Sequence, residues 1–341
     1  MYYCDRTCQI AGWKGGHKKI CGLWPSLTTI PEAAGGGNFV VATGCYKNNL
    51  IMVRGMEPGR GNCECWNYNI EANKWTQRKK LPVSTRTIHG IVVQKYMYVL
   101  VYTASKVLTL RLDLENEKSN WEERASLGEM RVDASIATDG TSYIYLSGGY
   151  SLVDARNPMV GQTTLDSVSR YSIANDKWER SWSKIPHYPR YGHSSIVAND
   201  HLYIVGGRNE EFDVGSPSST AVPADPTQQF PICNLITKTW SLGSPVPAPT
   251  ADSTTFFWGG KYIILFPMSA KCTLIYDTTR DKWSLSELHQ NSTMVNQKCC
   301  VLPNGNIALL GGMDAFRPPP SWSDKVTTLE VEKIIETSKG Q

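Results

Sequence analysis

The sequence predicts an all-β protein built from copies of one repeated unit, and three observations carry that reading. Apolar residues make up 41% of the 341, Trp and Tyr number 11 and 16, and charged residues reach only 19%. Charge below the usual quarter, with many rings that pack well on pleated surfaces, suits strands. A Tyr and a Trp frame a turn-forming run three times: Tyr68-Asn-Ile-Glu-Ala-Asn-Lys-Trp75, Tyr171-Ser-Ile-Ala-Asn-Asp-Lys-Trp178 and Tyr276-Asp-Thr-Thr-Arg-Asp-Lys-Trp283, with weaker versions ending at Trp121 and Trp240. Apolar runs close on paired glycines at Gly148-Gly149, Gly206-Gly207 and Gly311-Gly312. Self-similarity of this kind marks a repeat architecture.

An apolar strand, Gly-Gly, then a spaced Tyr and Trp: in this the chain resembles the kelch repeat, over nearly everything from residue 22 on. The resemblance implies a kelch-type β-propeller whose blades each hold four short strands. Strand a is an apolar run such as His89–Val93 or His193–Val197, strand b ends at Gly-Gly, strand c carries the Tyr, and strand d starts at the Trp. Glycine is expected where φ turns positive or backbones crowd, and the Trp is expected to fill space between blades. Arg54-Gly55, Tyr102-Thr103 and Phe266-Pro267 stand where Gly-Gly would be, so those b–c corners should differ. His89 and His193 read as equivalent places in the repeat.

Strands a to c occur six times, near residues 38–70, 87–114, 133–173, 191–235, 252–277 and 295–331. The sixth unit, ending at Thr327-Thr-Leu-Glu-Val-Glu-Lys-Ile334, has no Trp after it, whereas Trp24-Pro-Ser-Leu-Thr-Thr-Ile30-Pro31 has the form of Trp75 through Leu81-Pro82. Residues 23–30 are therefore expected to supply the outer strand of the last blade. The domain reading is a six-bladed propeller over 22–335 with a tail over 336–341. Closing the ring with a strand from each end would remove exposed sheet edges.

Residues 1–21 form the other unit. Cys4, Cys8, His17 and Cys21, spaced as Cys-x3-Cys and His-x3-Cys with Gln9 and Trp13 among them, suit tetrahedral zinc held by thiolates and imidazole. The segment resembles the C-terminal half of a MYND-type zinc finger, a small zinc-finger-like helical segment. That resemblance implies Cys4, Cys8, His17 and Cys21 as ligands, and Gln9 and Trp13 as part of a seat for proline-containing peptides. The family's two upstream Cys-x2-Cys pairs do not occur before Cys4. Three readings stay open: one zinc gathered in a new arrangement, a segment that binds metal poorly, or a sequence that is a truncated version of a longer one, the reading preferred.

No apolar stretch reaches the length of a membrane span, and Met1–Arg6 does not open a secretory signal. Reduced thiols and a cytoplasmic or nuclear location are expected, and a monomer. Cys63, Cys65, Cys299 and Cys300 read as buried thiols rather than metal ligands. The net charge of +4 is spread along the chain, without the basic stripe of a nucleic-acid binder. Arg86, Arg131 and Arg190 recur just before strand a, and Arg208 follows a Gly-Gly. Strands alternate direction in a blade, so these d–a connections share a face with the long b–c loops 150–167, 208–229 and 313–324. Such loops on a rigid scaffold commonly carry function. Two readings of these arginines stay open: each pairs with a local carboxylate or carbonyl as a repeat feature, or together they receive an acidic partner. The expected function is a non-enzymatic protein-interaction scaffold. The alternative is an enzyme or small-ligand binder using the central pocket.

Overall fold

A computed structural model describes residues 26–31, 40–56, 61–85, 88–102, 106–129, 131–151, 163–209, 228–248, 250–267, 272–286, 294–295, 297–314 and 321–338. Cys4, Cys8, Gln9, Trp13, His17 and Cys21, and with them the whole zinc-finger-like segment, lie outside the described residues, as do Trp24, Arg86 and most of the three long loops.

After β1 (Ser26–Thr29), blade 1 comprises β2 (Val40–Tyr46), β3 (Asn49–Arg54), β4 (Glu64–Asn69) and β5 (Lys74–Gln77). Blade 2 comprises β6 (Ile88–Val93), β7 (Tyr96–Tyr102), β8 (Val107–Asp113) and β9 (Glu122–Arg124). Blade 3 holds β10 (Ser135–Thr138), β11 (Tyr143–Ser147), a small ribbon of β12 (Tyr150–Ser151) and β13 (Thr163–Thr164), then β14 (Ser167–Ser172) and β15 (Lys177–Lys184). Blade 4 comprises β16 (Ser194–Ala198), β17 (His201–Val205), β18 (Phe230–Asn234) and β19 (Trp240–Gly243). Blade 5 comprises β20 (Thr254–Trp258), β21 (Tyr262–Phe266), β22 (Thr273–Asp277) and β23 (Lys282–Ser286). In the last blade, β24 (Met294–Val295), β27 (Met313–Asp314) and β28 (Ser321–Trp322) make a second small ribbon beside β25 (Lys298–Val301), β26 (Ile307–Leu310) and β29 (Lys325–Leu329).

The first strands of the blades, β2, β6, β10, β16, β20 and β25, neighbour one another in that order, and β25 returns to β2. This is a closed six-bladed all-β propeller. Its sixth sheet runs β25-β26-β29-β1, so the outer strand comes from the N-terminal side, with Ser26 opposite Thr327 and Thr29 opposite Lys325. Leu27 and Ile30 pack with Val326 and Leu310 of the same blade and with Leu50 and Tyr68 of blade 1.

The Tyr–Trp motif acquires a physical account. In blades 1, 3 and 5 the Tyr hydroxyl donates to Asn73, Asp176 and Asp281 at 2.7, 2.6 and 2.8 Å. Those turn residues sit at φ near +50°, a conformation that Asn and Asp tolerate best among side-chain-bearing residues. Each Trp lies 5.0–5.3 Å from its Tyr ring and reaches back one blade. The indole N–H of Trp75 donates to Thr28, of Trp121 to the Lys79 carbonyl, of Trp178 to the Ala125 carbonyl, of Trp240 to Ser183 and of Trp283 to the Ser244 carbonyl. The ring thus closes by the same contact at five of its six seams.

At the seam between blades 5 and 6 the described residues add a helix. The strand expected around 326–333 ends at Leu329, and a helix, α1 (Val331–Ser338), follows. Val331, Ile334, Ile335 and Ser338 are its buried residues, the spacing of one helical stripe rather than of alternating strand faces. They pack on Phe256, Phe266, Ile307 and Leu309 where blades 5 and 6 meet, and Thr337 bonds Ser286 at 2.7 Å. The residues expected as a tail from 336 on therefore begin as part of this helix.

Candidate functional site: the axial mouth

The d–a and b–c connections share one face of the disc, and both small ribbons belong to it. β12–β13 lies in the b–c connection of blade 3, and β24 pairs with β27 across the d–a and b–c connections of the last blade. The glycine pairs turn the chain on this face. Gly206 has φ +65°, and a Cβ there would stand 1.7 Å from the Thr250 carbonyl oxygen of the next blade.

Arg131 and Arg190, expected to face a partner, are buried at 1% exposure. Arg131 donates to the Ser167 carbonyl at 2.8 Å and to Ser167 Oγ at 2.7 Å, and pairs with Glu129 at 2.7 Å. Arg190 donates to the Gly206 carbonyl at 3.0 Å. Both hold the b–c corner of their own blade, where tight turns leave carbonyls without strand partners. Arg208 is half-exposed and pairs with Asp252 at 3.0 Å. Among the described residues the face carries both signs of charge.

Blade 1 has Arg54 where blades 3, 4 and 6 have glycine, and that side chain is fully buried. Its guanidinium donates to Glu64 at 2.9 Å and to the Pro31 carbonyl just after β1. Burial pushes the Arg54 pKa down against the pull of Glu64. For Glu64, burial acts upward, but hydrogen bonds from Trp66 and Lys80 and the Arg54 charge outweigh it and hold the carboxyl below its ordinary range.

At the centre of the face an axial cavity of about 260 Å³ opens between the starts of the six inner strands. A second cavity, of about 410 Å³, shares Thr43, Gly90, Ile136, Ser195, Thr255 and Cys299 with it and continues along the axis among Ile91, Val92, Val197 and Phe256. The mouth is polar and the channel below it more apolar. Three d–a turns are tied to one another at the rim: the Gly192 N–H donates to the Asp133 carbonyl and the Asp252 N–H to the Gly192 carbonyl. Asp133 and Asp252 take φ of +49° and +52° and line the cavity, as does Lys298. Asp133 is exposed at the rim, and partial desolvation in the mouth with the Asp252 charge raises its pKa, while burial lowers that of Lys298 against the nearby carboxylates.

The two histidines are not equivalent. His89 pairs with Leu100, one residue inside the strand start, whereas the matching position of blade 4 is Ser195, opposite Ile204. His193 lies two residues earlier, tucked beside Gly148 and Gly207, with Nε2 2.8 Å from Ser147 Oγ. Burial, then Arg190 and Arg131, pushes its pKa down to about 3. His89 lines the cavity with its ring 5.4 Å from that of Tyr102, and burial pushes its pKa down to about 3 as well.

Cys63 and Cys65 are buried thiols, as expected, with Cys63 Sγ donating to the Thr85 carbonyl. Cys299 lines the cavity, and burial raises its pKa to about 12. Among the described residues no three His, Cys, Asp or Glu side chains gather as metal ligands would. Sequence reasoning missed Asp133, Asp252 and Lys298 as a group. Asp133 and Asp252 share a place two residues before strand a, whereas Lys298 is the first residue of its strand, so no common spacing marks the three.

The fold and its loop-bearing face define a six-bladed all-β propeller. Comparison with known proteins agrees. The chain is similar to Kelch-like protein 15 of Danio rerio, 26% identical over 186 residues, covering 49% of this chain and 28% of that protein. It is also similar to spermatocyte protein spe-26 of Caenorhabditis elegans, 28% identical over 167 residues, covering 46% and 27%, and to human Kelch-like protein 15, 25% identical over 187 residues, covering 49% and 28%. The chain thus spans little more than a quarter of the length of these relatives. No family model matches it. No helix among the described residues is long and apolar enough to cross a membrane.

Proposed function

We propose that this chain is a non-enzymatic protein-interaction scaffold, receiving a partner on the propeller face that carries the d–a and b–c connections. The observation that supports this most is the build-up of that face. Two β-ribbons, β12–β13 and β24–β27–β28, belong to it, around a charged polar mouth, whereas the c–d connections of blades 1, 3, 4 and 5 on the other face are short turns such as residues 70–73 and 173–176. The likeness to Kelch-like proteins agrees with this reading.

A photo-crosslinking residue placed at position 208 on this face should yield adducts with cellular proteins. The same residue at position 236, in the exposed c–d turn of blade 4 (75% exposed), should yield background only. Equal or stronger labelling from position 236 would contradict the assignment.

At the N-terminal side we propose a second adaptor. Cys4, Cys8, His17 and Cys21 would hold one zinc ion, and Gln9 and Trp13 would seat a proline-containing peptide. The chain enters β1 at Ser26 on the c–d side of the disc, given its antiparallel pairing with β29, so the two adaptors would serve different faces. Metal analysis of the purified chain should find at most one weakly held zinc per molecule, lost in Cys4→Ser and His17→Ala. Two zinc ions retained through dialysis would overturn this arrangement.

A further inference from the structure

The axial cavity carries an arrangement that the scaffold reading leaves unused. Asp133 belongs to blade 3 and Lys298 to blade 6, and in a six-membered ring those blades stand opposite one another across the axis. Both residues line the same cavity. Asp252, the other carboxylate at the rim, is committed to Arg208 at 3.0 Å. The Asp133 carboxylate and the Lys298 ammonium, by contrast, make no hydrogen bond or ion pair with any described residue, though each feels the other's charge. A cation and an anion that face one cavity, yet are held apart by the rigid ring, cannot neutralise each other directly.

The walls between them add a second, independent feature. His89, Ser195, Ser253 and Thr255 line this cavity, and their buried Nε2, Oγ, Oγ and Oγ1 atoms have no hydrogen-bond partner among the described residues. Buried polar groups are almost always paired, and leaving one unpaired costs about 1–3 kcal/mol. The ring also bonds its other mouth hydroxyls to itself. Ser135 Oγ accepts from the Ser195 N–H at 2.7 Å, Ser194 Oγ donates to the Ser253 carbonyl at 2.8 Å, and Thr254 Oγ1 donates to the Gln297 carbonyl at 3.1 Å. With His193 Nδ1, these are the unpaired buried polar atoms of the cavity-lining residues, and the other mouth hydroxyls are bonded.

We infer that the axial mouth binds a small zwitterion, an ammonium-and-carboxylate molecule of amino-acid size, with its ammonium on Asp133 and its carboxylate on Lys298. The volume of about 260 Å³ lies just under the range of drug-sized pockets, which fits such a ligand and excludes a folded peptide segment. The hydroxyls of Ser195, Ser253 and Thr255 and the neutral His89 ring would meet its polar atoms between the two charged ends. Charge-assisted hydrogen bonds at both ends would supply orientation as well as affinity.

Isothermal titration of the full chain with a series of ω-amino acids (glycine, β-alanine, γ-aminobutyrate and 5-aminovalerate), beside acetate and methylamine, tests the inference. At least one of the four should bind, and each singly charged compound should bind at least about tenfold more weakly, the loss expected for one charged hydrogen bond. Asp133→Asn, which keeps a residue tolerant of positive φ, and Lys298→Gln should each weaken the preferred zwitterion by a similar factor while near-ultraviolet dichroism stays that of the folded ring. Ser253→Ala gives a milder variant should either charge change unfold the protein, and it too should weaken binding. Absence of binding by all four at millimolar concentration, equal binding of acetate or methylamine, or unchanged affinity in folded Asp133→Asn would each overturn the inference.

Discussion

Gly206 shows why some positions in a repeat admit one residue only. Positive φ alone costs a side-chain-bearing residue about 1 kcal/mol, but at Gly206 the added Cβ would also overlap a backbone oxygen of the next blade. Gly206→Ala should lower the unfolding free energy in urea by about 2–3 kcal/mol. Gly140→Ala, at φ +79° with no atom within 4 Å of the added Cβ, should cost about 1 kcal/mol. Equal losses would show that crowding at the ring is unimportant. His193 makes a different residue-scale prediction. Unfolded, it titrates near its ordinary 6.5, whereas in the ring it stays neutral down to about 3. Between those values the unfolded chain binds the extra proton, so its contribution is intact above pH 6.5 and declines as pH falls, by about 1.4 kcal/mol per pH unit. Urea titrations over that window should show a shallower decline in His193→Gln than in the parent, and superimposable slopes would contradict the assignment.

At the scale of elements, the departures from the repeat are where the ring is tied to itself. Arg54 replaces a glycine in blade 1 and reaches Pro31 beside the closing strand. Breaking a buried pair strands its partner, so Arg54→Met should destabilise by about 3–5 kcal/mol, and Arg54→Met with Glu64→Leu should recover much of that loss. Thermal unfolding of the three variants checks the expectation, and a double variant no better than the single would contradict it. Much at this scale was legible in the sequence. The Tyr–Trp spacing located strands c and d, and the glycine pairs located the corners, because each motif answers a local backbone demand. Arg131 and Arg190 admit two readings from sequence, a surface for a partner or a repeat feature paired with a local carboxylate or carbonyl, and their burial on corner carbonyls decides for the second. Helix α1 was missed because Val331, Ile334 and Ile335 serve a strand or a helix equally well in so short a run. The axial pair Asp133 and Lys298 lay beyond motif reading, since their relation depends on ring order and not on spacing.

For the molecule as a whole, every property proposed here rests on a closed and rigid ring: a loop-bearing face on one side, and opposed charges across the axis. Closure depends on four residues, Ser26–Thr29, that pair with β29 and cover Val326 and Tyr68 through Leu27. An open propeller would expose the edge of β29 and the seam against blade 1, and the loss would spread because each blade buries its neighbour. The decisive measurement compares thermal unfolding of two truncated chains, one lacking residues 1–20 and one lacking residues 1–34. The first should melt with the full chain, and the second should melt several degrees lower, with the Tyr68 and Trp75 seam exposed to quencher. Equal melting temperatures for the two truncations would contradict closure of the ring by its N-terminal strand.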